Sequence, residues 1–201
     1  MLARVSPWLG PGLATASYLL GSVCFGLVEA RRRGFDLRTT GSGNVGATNV
    51  GRAFGKGVGR RVLLLDALKG LAPAGAAHAL LGPADPWTAA TGFAAVFGHC
   101  YPLWFRFRGG KGAATAAGVL LGVVPAAGGA AALTFVVLKK ATRRASVGSL
   151  AGAAVGLGVT FAWTGSPTHA ATAMAAAIFA LVVWRHRANV VRLMRGEEPP
   201  G

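Results

Sequence analysis

The chain has 201 residues, 53% of them hydrophobic and 13% charged, and its 21 Lys+Arg against 6 Asp+Glu give a formal net charge of +15. So apolar a composition excludes an ordinary soluble domain. The pI near 11.7 would suit a nucleic-acid partner, but the basic residues cluster between long apolar stretches instead of lining one polar face, which excludes that partner.

In chain order, an apolar run from Trp8 to Ala30 precedes Arg31-Arg32-Arg33. A cleavable signal carries its positive charge before the run, so this is read as a retained span. At roughly 20 apolar residues per crossing, the candidate spans are Pro11–Val28, Val62–Leu81, Trp87–Trp104, Ala113–Leu138, Val147–Trp163 and Thr168–Trp184. Nearly all Lys and Arg fall in 31–61, 106–111, 139–144 and 185–195, whereas the connections at 82–86 and 165–167 carry none. The positive-inside rule puts those basic segments in the cytosol. Two of them flank Ala113–Leu138, and a single crossing would separate them. That stretch is therefore expected to be a hairpin, Ala113–Val124 and Gly129–Leu138, broken at Pro125–Gly128; a re-entrant hairpin keeps the same orientation. The expected fold is an all-α polytopic membrane protein, a single domain over residues 1–201. It has seven transmembrane helices, the N-terminus outside and the C-terminus cytosolic. Trp8, Trp87, Trp104, Trp163 and Trp184 fall near span ends, where amphipathic rings favour the headgroup zone. Cys24 and Cys100 lie in apolar context and are read as buried free thiols.

The cytosolic segments carry the chemistry. The first holds Gly41-Ser42-Gly43-Asn44-Val45-Gly46-Ala47-Thr48-Asn49, then Arg52. It matches G-x-G-x-x-G literally, but the residues before it are basic and polar rather than strand-like, so a dinucleotide site is rejected. A P-loop fails as well, because Gly55-Lys56 lacks the upstream glycine and the following Ser/Thr. Glycine-rich backbone can cradle an anion. Ser42, Asn44, Thr48 and Asn49 add neutral donors, and Arg52 adds a fork suited to phosphate. A solvated basic loop is the plainer alternative. The second segment runs from Gly98-His99-Cys100-Tyr101-Pro102 to Gly109-Gly110-Lys111-Gly112-Ala113-Ala114-Thr115. Its glycines open a helix, which is an anion site, and Lys111 adds a point charge. Arg106 and Arg108 read as snorkelling to headgroups, and His99 as structural. Ser146 is placed as a helix N-cap. In the last segment, a continuous helix would set His186, Asn189 and Leu193 on one face and Arg185 and Arg192 on another; alternatively the segment is a basic helix that binds anionic lipid. Asp66 and Lys69, i,i+3 within a span, are expected to pair and brace the site from behind. No H-x-x-x-x-D pair and no G-x-S-x-G elbow occurs. Glu197 and Glu198 read as scattered acids, with no acidic cluster for a metal.

Together GSGNVGATN with Arg52, GHCYP with GGKGAAT, HRANVVRL with Gly196-Glu197, and Leu65-Asp66 with Lys69-Gly70 resemble the bacterial acyl-phosphate-dependent glycerol-3-phosphate acyltransferases over nearly the whole chain. Val45, Cys24, Arg108 and Arg144 depart from that family's usual residues. The resemblance implies transfer of an acyl chain from acyl-phosphate to the sn-1 hydroxyl of glycerol 3-phosphate, giving lysophosphatidic acid and phosphate. It implies no cofactor, no metal and no coenzyme A, with the substrate's own phosphate as base. It also implies a multi-pass protein of the bacterial inner membrane, and a monomer among membrane lipid is expected. Ser42, Arg52, Lys111, His186 and Asn189 are the implied catalytic residues, and Gly41, Gly43, Asn44, Thr48, Asn49, Gly110, Gly112 and Ser146 the implied substrate-binding ones. A transporter of a phosphorylated metabolite is the competing reading, since it too would want a basic intramembrane site.

Overall fold

A computed structural model describes residues 6–200. Among them the chain is all-helical, in the order α1 (Leu9–Gly21), α2 (Phe25–Arg32), α3 (Ala47–Phe54), α4 (Lys56–Leu81), α5 (Pro86–Cys100), α6 (Ala113–Val123), α7 (Pro125–Thr142), α8 (Ala145–Thr164), α9 (Ala170–Arg185) and α10 (Arg187–Met194), with short 3-10 turns at Leu37–Thr39 and Leu103–Phe105. Leu9–Arg32 and Ala145–Thr164 are long and apolar enough to cross a bilayer, and α9 with α10, bent by 57°, makes a third if the bent pair is one span. Asp66 and Lys69 interrupt the apolar run of α4, and α6 has only 11 residues.

Several boundaries differ from the sequence expectation, each for a local reason. The first span is two helices broken at 22–24, where Ser22 Oγ donates to Tyr18 O at 2.8 Å. The break frees the carbonyl of Val23, which accepts from the buried Lys69 ammonium at 2.7 Å. Helix α5 stops at Cys100 rather than Trp104, since Pro102 disfavours helical backbone at Tyr101. The hairpin turns at Val124, with Pro125 at the first position of α7, so residues 125–128, expected as the break, already belong to the second arm. Proline is suited to that position because its missing N–H would be unpaired there in any case.

Small residues let the helices approach. A Cβ on Gly118 would overlap the carbonyl oxygen of Ala67, locking α6 onto α4, and one on Gly152 would lie 2.7 Å from Ala131 O, so α8 lies close against α7. The main core forms around α6, with Val119, Leu120 and Val123 packed among Val96, Ala127, Met174, Ile178 and Val182. A satellite cluster of Ala30, Leu37, Val50 and Val62 seats the first polar loop and α3 on α4. In contact with water, burying each of its larger side chains contributes about 1.5–3 kcal/mol, enough to hold a glycine-rich loop in one shape.

Candidate active site

The sequence motifs converge on one cavity of about 310 Å³, and a smaller one of about 190 Å³ adjoins it. Ser42, Asn44, Thr48, Asn49, Arg52, Lys111, Ser146, His186 and Asn189 line the polar head of the larger cavity. Its body is apolar, walled by residues such as Leu63, Ala117, Leu120, Ala132, Phe135 and Ile178. Lys111, Arg185 and Arg192 give the smaller cavity a basic wall, and it shares Ser42, Asn44, Lys111 and Asn189 with the first.

The first loop leaves the 3-10 turn at Leu37–Thr39, whose start Asp36 caps by accepting from Arg38 N at 2.9 Å. Gly41 and Gly43 sit at φ of +59° and +65°, in the left-handed region that glycine enters without strain. Asn49 is buried and fully engaged within the loop. Its amide donates to Leu37 O at 3.2 Å and Thr40 O at 2.9 Å, and its Oδ1 accepts from Ser42 N at 3.2 Å. Its bonds go to the loop, which leaves the Ser42 hydroxyl, Asn44 and Thr48 as the polar groups at the cavity. Arg52 reaches the cavity from α3 and donates through Nε to Pro200 O at 3.1 Å.

The second loop, 108–112, crosses the end of α5. Gly109 N donates to Cys100 O at 3.3 Å and Gly110 N to His99 O at 3.1 Å. Among the described residues the N–H groups of Lys111 and Gly112 find no protein acceptor, so they remain available to an anion. Lys111 is half-buried, and burial first, then the neighbouring Arg192, Arg185 and Arg52, lower its pKa to about 8, against the opposing pull of Glu198. Beneath the loop lie Asp66, Lys69 and His99, all buried. Lys69 Nζ is 2.8 Å and His99 Nδ1 3.5 Å from Asp66 Oδ1. The expected pair therefore exists and includes His99 as a third member, and Asp66 and His99 also line the larger cavity.

His186 sits at the bend between α9 and α10. Its Nδ1 lies 2.8 Å from Val182 O; a carbonyl only accepts, so Nδ1 carries the proton and Nε2 keeps a lone pair. Burial, and next the charge of Lys111, lower its pKa to about 4, so the ring is neutral at pH 7. The bend overturns the expectation that Arg185 and Arg192 face away from Asn189, since all of them line the smaller cavity.

Sequence reasoning missed Glu198. It lines the larger cavity and accepts from Ser146 Oγ at 2.8 Å, Asn189 Nδ2 at 2.6 Å and Arg192 Nε at 2.8 Å. Burial alone would raise its pKa, but the hydrogen bonds from Asn189, Ser146 and Arg192 outweigh it and hold the carboxyl below its usual value. Ser146 is accordingly no N-cap. Arg144 occupies that position, and the Ser146 hydroxyl points to Glu198. With its amide nitrogen engaged, Asn189 is left with a buried Oδ1 that has no partner, an acceptor facing a site where a ligand hydroxyl could donate. The sequence signal available was Gly196, at φ +73°, which turns the chain back on α10.

The profile of the glycerol-3-phosphate acyltransferase family matches residues 12–196. The chain is 49% identical over 187 residues to a glycerol-3-phosphate acyltransferase of Myxococcus xanthus, covering 92% of this chain and 96% of the relative. It is 45% identical over 186 residues to one of Geobacter sulfurreducens, covering 92% and 94%. The fold is similar to the crystal structure of PlsY, an integral membrane glycerol 3-phosphate acyltransferase, in its glycerol 3-phosphate form, with TM-score 0.90 and 41% identity over 96% of this chain and 95% of that one.

Proposed function

The chain belongs to the glycerol-3-phosphate acyltransferase family, and on that premise we propose that its cavity joins an acyl-phosphate to glycerol 3-phosphate at the cytosolic face of a bacterial inner membrane. The observation that carries this reading is the shape of the larger cavity, a cationic, amide-rich head continuous with an apolar body. An acyl chain suits the body. The phosphate of its donor suits the head, where Arg52, Lys111, Ser42, Thr48 and the free amides of Lys111 and Gly112 supply positive charge and donors. The adjoining basic cavity, with Arg192 and Asn189, suits the phosphate and hydroxyls of glycerol 3-phosphate.

In the transfer, the sn-1 hydroxyl oxygen bonds to the acyl carbonyl carbon and the bond from that carbon to the phosphate oxygen breaks. The hydroxyl proton goes to the departing phosphate, so the products are lysophosphatidic acid and inorganic phosphate. The protein's share is positioning and charge stabilisation. Neutral His186 and the unpartnered Asn189 Oδ1 accept from the glycerol hydroxyls. Lys111 and Arg52 offset the repulsion between two phosphates and the negative charge that develops on the carbonyl oxygen. Clustering of the basic segments fits seven crossings with the N-terminus outside.

The test is acyl transfer by purified protein in detergent with glycerol 3-phosphate and either palmitoyl-phosphate or palmitoyl-CoA, following phosphate release and lysophosphatidic acid. Product is expected from palmitoyl-phosphate alone. Turnover of palmitoyl-CoA would overturn the donor assignment, and no product from folded protein with either donor would move transport to the front.

A further inference from the structure

Arg185 stands in the basic wall of the smaller cavity, and it is also the only side chain among the described residues that grips the backbone of the Gly109–Gly112 loop through two hydrogen bonds. Its Nε donates to Gly110 O at 3.0 Å and its Nη2 to Gly109 O at 3.0 Å. The guanidinium lies over the Tyr101 ring, 5.1 Å from its centroid. Tyr101 is itself fixed, through its carbonyl to Tyr18 Oη at 3.1 Å and by its ring against Phe97. The neighbouring Arg187 contrasts with it, lying exposed over Trp184 at 4.6 Å.

The consequence is geometric. The N–H groups of Gly109 and Gly110 bind the end of α5 while their carbonyls bind Arg185, so all four main-chain polar groups of the two glycines are engaged. Glycine has no side chain to restrict its backbone, and a dipeptide of two glycines would otherwise sample many conformations. No larger residue could stand at Gly110, where a Cβ would fall on the His99 ring. Fixing these two peptides sets the direction of the next two N–H groups and of the Lys111 side chain. The rigid fork of a guanidinium matches two adjacent carbonyl oxygens; an ammonium at the same site is a single point of attachment.

We propose that Arg185 is a positioning residue for acyl transfer, acting through the backbone of Gly109 and Gly110 to aim Lys111 and the Lys111 and Gly112 amides at the phosphate. The inference rests on the assignment of Lys111 to a phosphate, and turnover by the unaltered protein together with its loss in Lys111→Ala tests that assignment separately. Arg185→Lys keeps the charge and removes the fork; Arg185→Ala removes both. Both variants are expected to lose kcat on the order of 10- to 100-fold, the scale of a displaced catalytic group, with KM for both substrates within about twofold of the unaltered protein. Methylguanidinium added to Arg185→Ala is expected to restore part of kcat, and methylammonium none. Full activity in Arg185→Lys would overturn the inference. So would a raised KM for one substrate at unchanged kcat, which would make Arg185 a substrate contact. Loss of the thermal transition in both variants would assign the guanidinium to folding and also overturn it.

Discussion

Lys111 is the residue on which charge and position meet. Its pKa is lowered to about 8, first by burial and then by the arginines around it. In the proposed reading the protonated form binds phosphate, so the useful charge is present below about pH 8 and is lost as pH rises through that value. A profile of kcat/KM, which reports the free enzyme, should therefore fall on the alkaline side near pH 8. In Lys111→Arg, whose guanidinium stays charged, that fall should vanish even if the rate is lower. An alkaline limb unchanged in Lys111→Arg would show that another group titrates. That Ser42, Arg52, Lys111, His186 and Asn189 come together at one cavity was legible in the sequence because local motifs carry them. Glu198 was not. Its importance comes from the turn at Gly196 that brings it nine positions back to Asn189 and across to Ser146, and no local spacing encodes that reversal. Asn49 was placed in the motif correctly, but its bonds serve the loop, a division of labour visible only once both carbonyl partners are located.

Among the elements, the long apolar runs were legible because hydropathy at span length is a strong signal, while the break at 22–24 and the short helices were not. The break of the hairpin was expected over Pro125–Gly128. In the structure a Cβ on Gly128 would overlap the Leu121 backbone, so that glycine serves the close approach of α6 and α7, and Pro125 marks the turn. Helix α3 was invisible for the opposite reason. Its eight residues carry Asn49, Gly51 and Arg52, a poor helical composition, and packing of Val50 on Leu37 and Val62 supports it instead. The same distinction between glycines predicts opposite effects of substitution. Gly118→Val would drive a side chain into the carbonyl of Ala67 and push α6 from α4, so the thermal transition should fall by many degrees and activity with it. Gly158 has nothing within 4 Å of an added Cβ, and Gly158→Ala should leave activity intact and stabilise by about 0.5–1 kcal/mol through restricted backbone freedom. Equal melting of the two variants would refute the close-packing account of α4 and α6.

For the whole molecule, the basic segments and the cavity head lie together because Ser42, Arg52, Lys111, Ser146 and Arg192 come from segments far apart in the chain and reach one end of the bundle. Among the described residues the opposite end carries few charges. There Gly10 meets the ring of Trp87, and Thr88 Oγ1 donates to Gly82 O at 2.8 Å. Under the proposed topology, charge asymmetry of this kind puts the basic end in the cytosol, where glycerol 3-phosphate, too polar to cross, would be met. Cys24 and Cys100 are both buried, so single cysteines introduced at exposed sites can report sidedness against a low background. In intact cells a membrane-impermeant maleimide should label Ala84→Cys and Pro167→Cys, and should reach Gly57→Cys and Ala141→Cys only after permeabilisation. The hairpin is the discriminating case, because a true crossing and a re-entrant loop leave both its flanks inside. Gly122 packs beside Leu71 and Gly75, so the tip at Val124–Pro125 stops short of the end of α4 at Leu81 and, in the proposed topology, is recessed from the outer surface. Ala126→Cys, exposed at that tip, should therefore label from outside more slowly than Ala84→Cys. Protection of Ala126→Cys in intact cells, however long the exposure, would make the hairpin re-entrant and reduce the crossings to five.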